Sequence, residues 1–166
     1  MNPAVLTNLK AFIFDLDGTV VDSKLNFDLM RAELGFPKGV PILEELELVQ
    51  DPEEIKLANR IIHEHELRGV EVSTLMPGYR ELHDFLRSKK IPLGLLTRNS
   101  TEVTKLTLEK HNISYDIVLT RNDCLAKPDP EGLHIMKKEW AIKDYEAIYV
   151  GDFQFDLITA KAANLY

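Results

Sequence analysis

Four short runs of almost unbroken apolar character, Ala11 to Leu16, Ile91 to Thr97, Asp116 to Thr120 and Ala147 to Gly151, constrain this chain more than any other feature. A strand with one wet face alternates apolar and polar side chains, whereas a strand covered on both faces is apolar nearly throughout. The four runs therefore read as buried parallel strands. Segments with apolar residues at helical spacing accompany them: Tyr79, Leu82 and Phe85; Val103 and Leu106; Leu133, Met136 and Trp140. These stripes read as core. Strands alternating with helices predict an α/β fold, a parallel sheet with right-handed crossovers and helices on both faces. Asn99 followed by Glu102 has capping-box spacing, and Asp129-Pro130 puts a capping carboxylate before a proline. Helices then begin just past the carboxyl ends of the strands, the edge at which open α/β sheets bind ligands.

Residues 23–76 break the alternation. They hold no convincing strand but three helical segments: Phe27, Met30 and Leu34 closed by Gly35; Ile42 to Val49; and a longer helix opening at Asp51-Pro52-Glu53-Glu54 and bearing Ile55, Ala58, Ile61 and Ile62. Hinges are expected after Gly18-Thr19 and at Met76-Pro77-Gly78. The expected organisation is an α/β core of residues 1–22 and 77–166 with a small inserted all-helical subdomain of residues 23–76. A chain of 166 residues is long enough for one such core and a small insertion.

A net charge of −7 with no Lys/Arg run of five or six argues against nucleic acid as a partner. Met1 to Lys10 lacks the charged start and apolar stretch of a secretory signal, and no run approaches a membrane span, so a cytoplasmic location with no membrane partner is expected. The single Cys124 reads as a small buried thiol. His63 and His65, two apart on a helix, face different sides, unlike a zinc pair; with His83, His111 and His134 they read as surface residues.

Asp15 and Asp17 end a strand that is otherwise Phe and Ile, where unpaired charge is costly. A hard divalent cation is the simplest compensation, and Asp152 and Asp156, just past the fourth run, supply further oxygen ligands. Strand alternation sends Asp15 and Asp17 to one side and Leu16 to the other. Gly18 permits a sharp turn with backbone amides that could meet a phosphate oxygen. Thr97 offers a hydroxyl at a strand end, Arg98 and Asn99 follow it, and Lys127 offers an ammonium on a loop that Pro128 keeps from helical conformation. A cation, a lysine and hydroxyl donors around a transferring phosphoryl group would stabilise its charge.

In the order Asp15-Leu16-Asp17-Gly18-Thr19, Thr97, Lys127-Pro128, and Gly151-Asp152 with Asp156, the chain resembles the haloacid dehalogenase superfamily, in particular its phosphoglycolate phosphatase-like and β-phosphoglucomutase-like branch. The resemblance implies a Rossmann-like core with a helical cap over the site. It implies Asp15 as nucleophile forming an aspartyl-phosphate, and Asp17 as acid toward the leaving alcohol and then base toward water. Thr97 and Lys127 would hold the phosphoryl group, Lys127 also orienting Asp15. Gly18, Arg98 and Asn99 are further phosphate or substrate candidates, Asn99 sharing that role with a cap and Arg98 with a solvated charge. Mg2+ would be held by Asp15, the Asp17 backbone carbonyl and Asp152, with Asp156 as ligand or support. An acid at Asp17 favours phosphate over halide chemistry, since an alkoxide leaving group needs a proton. The implied partner is a small phosphorylated metabolite, and Lys24, Asn26 and Arg31 lie near enough to the first motif to choose it. A sugar phosphomutase is the alternative enzyme; a phospho-accepting receiver-like module would place its acidic residues before the Thr and Lys, which this sequence does not. The family pattern also calls for a further edge strand after the helix Leu157 to Ala163, where the sequence given reaches only Asn164-Leu165-Tyr166.

Overall fold

A computed structural model describes residues 9–166. The reading of the first eight residues as lacking a secretory signal lies outside them. In chain order the elements are β1 (Ala11–Phe14), β2 (Val21–Asp22), α1 (Phe27–Leu34), α2 (Ile42–Glu47), α3 (Pro52–Val72), β3 (Thr74–Leu75) and α4 (Tyr79–Ser88). Then follow β4 (Leu93–Leu96), α5 (Thr101–His111), β5 (Ile117–Leu119), α6 (Glu131–Glu139), β6 (Ala147–Val150) and α7 (Gln154–Ala162). The four apolar runs form one parallel sheet in the order β5-β4-β1-β6, with Ile13 opposite both Gly94 and Tyr149. Each strand is shorter than its run, β1 and β6 at the carboxyl end and β4 and β5 at both ends. Asp15 N–H still donates to Val150 O at 2.8 Å and Thr97 N–H to Leu119 O at 3.0 Å.

Two cores cover the two faces, as β1 alternation requires. Ala11 and Ile13 pack with Leu133 and Met136 of α6 and Ala160 of α7, while Phe14 packs with Tyr79 and Leu86 of α4. The stripe of α6 is core as spacing predicts, with Leu133 and Met136 buried and Trp140 packed against them, but those of α4 and α5 are not where spacing alone put them. On α4 the buried residues are Tyr79, His83 and Leu86, whereas Leu82 and Phe85 are exposed. His83 can lie inward because Nε2 meets Ser114 O at 3.1 Å and Nδ1 meets Asp84 at 3.1 Å, which corrects its reading as a surface residue. On α5 Leu106 is exposed, and Thr104 and Thr107 are buried with Val103, their hydroxyls donating to Ser100 O and Val103 O at 2.8 and 2.9 Å. A hydroxyl bonded to the preceding turn costs little to bury.

The cap of α5 also differs from expectation. Ser100 is the N-cap and its hydroxyl accepts from Val103 N–H, leaving the Asn99 side chain for another use. At α6, Pro130 takes the cap position and Asp129 accepts from Glu131 N–H at 2.9 Å. Cys124 is only half buried, against the edge of one core, and burial pushes its thiol up to about 11.

Two compact units divide the chain, one running to Asp22 and from Thr74 to Tyr166, the other Ser23–Ser73. The expected insert extended to residue 76, but Thr74–Leu75 pair antiparallel with Val21–Asp22 and so belong to the α/β unit. The helical unit has a small core of its own from Met30, Ile42 and Ile62. Within it Asp51 caps α3, accepting from Glu53 N–H at 2.8 Å. His65 is buried there and meets Glu33 at 2.9 Å, a second histidine that is not a surface residue. Asn26 caps α1, and Arg31 donates to Asp28 and to Val40 O, so both serve the unit's own structure.

Beyond α7, Tyr149 N–H donates to Tyr166 O at 2.8 Å and Tyr166 N–H to Ala147 O at 3.2 Å. The final residues thus lie along the outer edge of β6. Among the described residues no helix is long and apolar enough to cross a membrane.

Candidate active site

Period-two alternation carries Asp15 to the same face as Ala11 and Ile13, one step past the end of the ladder. The same alternation on β6 puts Tyr149 on that face, opposite Ile13. Lys127 arrives from the loop after β5, following which the Lys127–Pro128 peptide is cis, and Asp156 arrives from the first turn of α7. The Lys127 ammonium, 3% exposed, donates to Asp15 Oδ1 at 2.5 Å, Asp156 Oδ1 at 2.6 Å and Tyr149 Oη at 2.8 Å. An ammonium has three hydrogens, and all three are used. Tyr149 Oη in turn donates to Asp156 Oδ1 at 2.9 Å, and Asp156 Oδ2 accepts from Phe153 N–H at 2.9 Å. Both Asp156 oxygens are therefore bonded within the protein, and its charge holds the lysine in place.

Tyr149 is the member of this network that sequence reading missed. A tyrosine inside an apolar strand looks like core filler. The available signal was its register: two residues before Gly151, it shares a sheet face with Asp15.

Asp15, Asp152 and Asp156 each bring a carboxylate oxygen to within 4.8 Å of the others. One lysine cannot neutralise three carboxylates. Burial pushes the Asp15 carboxyl up to about 7; Lys127 opposes this and Asp156 adds to it. A surplus of negative charge among hard oxygen donors is the donor set that suits a magnesium-class cation. The Asp17 carboxylate is not in this group. It accepts from Asn99 Nδ2 at 2.7 Å instead.

Gly18 permits the close approach of the two acidic segments. Its φ is +83°, and a Cβ there would lie 2.3 Å from Asp152 Oδ2, so both the turn and the space require glycine. The neighbouring Thr19 hydroxyl donates to Asp152 Oδ1 at 3.2 Å, a second contact without a sequence signal. Thr97 is buried at the end of β4, its hydroxyl oxygen accepting from Asn99 N–H at 3.1 Å. Arg98 is partly exposed. It donates to the Lys127 carbonyl and lies 4.8 Å from the Phe155 ring, bracing the lysine loop.

Residues 34–166 match the family described as haloacid dehalogenase-like hydrolase. A haloacid dehalogenase-like hydrolase domain-containing protein of Arabidopsis thaliana is 32% identical over 96% of this chain and 70% of its own length. A phosphorylated carbohydrates phosphatase of Thermotoga maritima is 29% identical over 95% of this chain and 82% of its own. Among solved structures, a haloacid dehalogenase-like hydrolase from Bacteroides fragilis superposes with a TM-score of 0.77 at 21% identity, covering 95% of this chain and 85% of that one. The chain belongs to the haloacid dehalogenase-like hydrolases, with the α/β Rossmann-like fold of that family.

Proposed function

We propose that this protein hydrolyses a small phosphate monoester with the help of Mg2+, through an aspartyl-phosphate formed on Asp15. The observation that carries the reading is the buried Lys127 gripping Asp15 beside a carboxylate cluster. A carboxylate held at one oxygen by an ammonium presents the other to an incoming phosphorus, the positioning on which phosphoryl transfer depends. Asp15 Oδ2 attacks, the bond to the ester oxygen breaks, and Asp17 gives that oxygen a proton. Asp17, now a carboxylate, takes a proton from water, which attacks the aspartyl-phosphate, releases inorganic phosphate and restores Asp15.

Thr97 receives a backbone N–H on its oxygen and so keeps its own hydroxyl hydrogen for a phosphoryl oxygen. Lys127, with its three hydrogens on Asp15, Asp156 and Tyr149, acts first as the residue that orients Asp15. Asp15 and Asp152, with the Asp17 carbonyl, are the residues that would hold Mg2+, which when bound supplies positive charge to the transferring group. Relatives named phosphorylated carbohydrates phosphatase and phosphoglycolate phosphatase support a small phosphorylated metabolite as substrate. The helical unit Ser23–Ser73 is assigned substrate selection on the same resemblance.

The test is phosphate release from a panel of phosphorylated metabolites, with Mg2+ and with a chelator, by the natural chain and by Asp15→Asn. Turnover that requires the metal and falls by at least about 10³-fold in the variant is expected. Metal-independent turnover, or an undiminished variant, rules the reading out.

A further inference from the structure

Sequence spacing offers the Asn99 side chain two uses, helix cap or phosphate contact, and the structure gives it a third. Ser100 caps α5. The Asn99 backbone is tied separately, its N–H donating to Thr97 Oγ1 at 3.1 Å and its carbonyl accepting from Arg121 N–H at 3.2 Å. The side chain, in a residue only 8% exposed, donates from Nδ2 to Asp17 Oδ2 at 2.7 Å. The two residues are 82 positions apart in sequence and meet because each lies just past the carboxyl end of adjacent strands, β1 and β4. An amide buried this far with its backbone bonded elsewhere is an ordered donor.

We propose that Asn99 is a positioning residue that holds the Asp17 carboxyl in the orientation needed for proton transfer. The proposal rests on the reading of Asp17 as acid and base. As the bond from phosphorus to the ester oxygen breaks and the bond from Asp15 forms, the ester oxygen takes the Asp17 proton. The electron pair of that O–H bond stays on the Asp17 carboxylate, which next takes a proton from water. Both protonation states of Asp17 can accept from the Asn99 amide at Oδ2. The donor therefore fixes the plane of the carboxyl group throughout the cycle. In kcat/KM, which covers the steps up to release of the alcohol and not the later attack of water, its contribution grows with the need of the leaving oxygen for a proton, which separates it from a phosphate contact and from a purely structural role.

The experiment compares kcat/KM for p-nitrophenyl phosphate, whose leaving group departs without help, and for an alkyl phosphate, whose leaving group does not. The natural chain is set against Asn99→Leu, which keeps the volume and removes the donor, Asn99→Ser, which keeps a short donor, and Asp17→Asn. The loss in Asn99→Leu is expected to grow from about twofold with the aryl ester to about 30-fold or more with the alkyl ester, in kcat and not in KM. Asn99→Ser is expected to fall between, and it carries the comparison if the leucine variant does not fold. A loss in the Asn99 variants that is equal for both esters, or confined to KM, while that of Asp17→Asn grows, overturns the role of Asn99 alone. A flat loss in Asp17→Asn overturns the acid reading of Asp17 and this proposal with it.

Discussion

The two faces of the sheet each bury a tyrosine network beside the end of β1, and the two networks differ in kind. On the face shared by Ala11, Ile13 and Asp15, the Tyr149 hydroxyl joins Lys127 and Asp156. On the face of Phe14, the Tyr79 and Tyr115 hydroxyls bond to each other, and the Tyr79 ring meets Phe14 edge-on at 5.5 Å. Burial pushes Tyr79 up to about 12 and Tyr115 and Tyr149 higher still, so all three hydroxyls stay protonated. One network is ionic and ends on a carboxylate past the last ladder bond. The other is neutral and ends on aromatic rings. A one-residue step along β1 separates a site from a scaffold, because period-two geometry assigns successive residues to opposite faces.

Breaking the ionic side is expected to have the largest effect. Lys127→Met leaves Asp15 and Asp156 buried without their shared cation, which should lower stability by about 3–5 kcal/mol in denaturant melts. Added Mg2+ should restore part of this by acting on the same carboxylates. An unchanged midpoint in the metal-free variant would show that the lysine is not the counter-charge described above.

The pH dependence of metal-free stability is a second, intermediate test. The folded Asp15 carboxyl is raised from 3.8 to about 7, so across that window the folded chain holds a proton that the unfolded chain has released. This contribution to stability should therefore decline as pH rises from about 4 to about 7 in chelator, and the decline should flatten in Asp15→Asn. Saturating Mg2+, which favours the ionised carboxylate, should remove it as well. Identical pH profiles for the natural chain and Asp15→Asn would contradict the burial assigned to that group.

The smallest effects sharpen the comparison between the tyrosines. Tyr149→Phe and Tyr115→Phe each remove one buried hydroxyl and should each cost about 1–2 kcal/mol. Only Tyr149→Phe should also lower kcat, by about tenfold, because it frees one lysine hydrogen and lets the ammonium shift from Asp15. Equal kcat in the two variants would mean that the third bond of Lys127 does not orient Asp15.

Much of this was legible in the sequence, and the reasons are physical. The continuous apolar runs located the four strands of the parallel sheet, though not the short β2–β3 pair, since a doubly covered strand has no polar alternation to confuse it. Asp15, Lys127, Asp152 and Asp156 stood out because charge beside such runs demands compensation. What stayed hidden were polar residues that bury by finding partners. His83 and His65 read as surface residues because a satisfied histidine and a solvated one look alike in sequence. Thr104 and Thr107 displaced Leu106 from the inner face by bonding to their own helix. Asn99 matched a capping box that Ser100, one residue later, satisfies. In each case the deciding partner lies in another turn or another element.

The position of β1 between β4 and β6 also bears on how the molecule moves. Amides of a central strand exchange their hydrogens with water only when the sheet opens, whereas those of edges and turns exchange through local fluctuations. The Asp15 amide, bonded to Val150 O, is thus expected among the slowest-exchanging in the chain, with those of Gly18 and Thr19 faster. The Asp15 carboxylate thus stands on ground expected to give way only with the whole domain, and any mobility that the proposed turnover cycle needs must come from the segments around it.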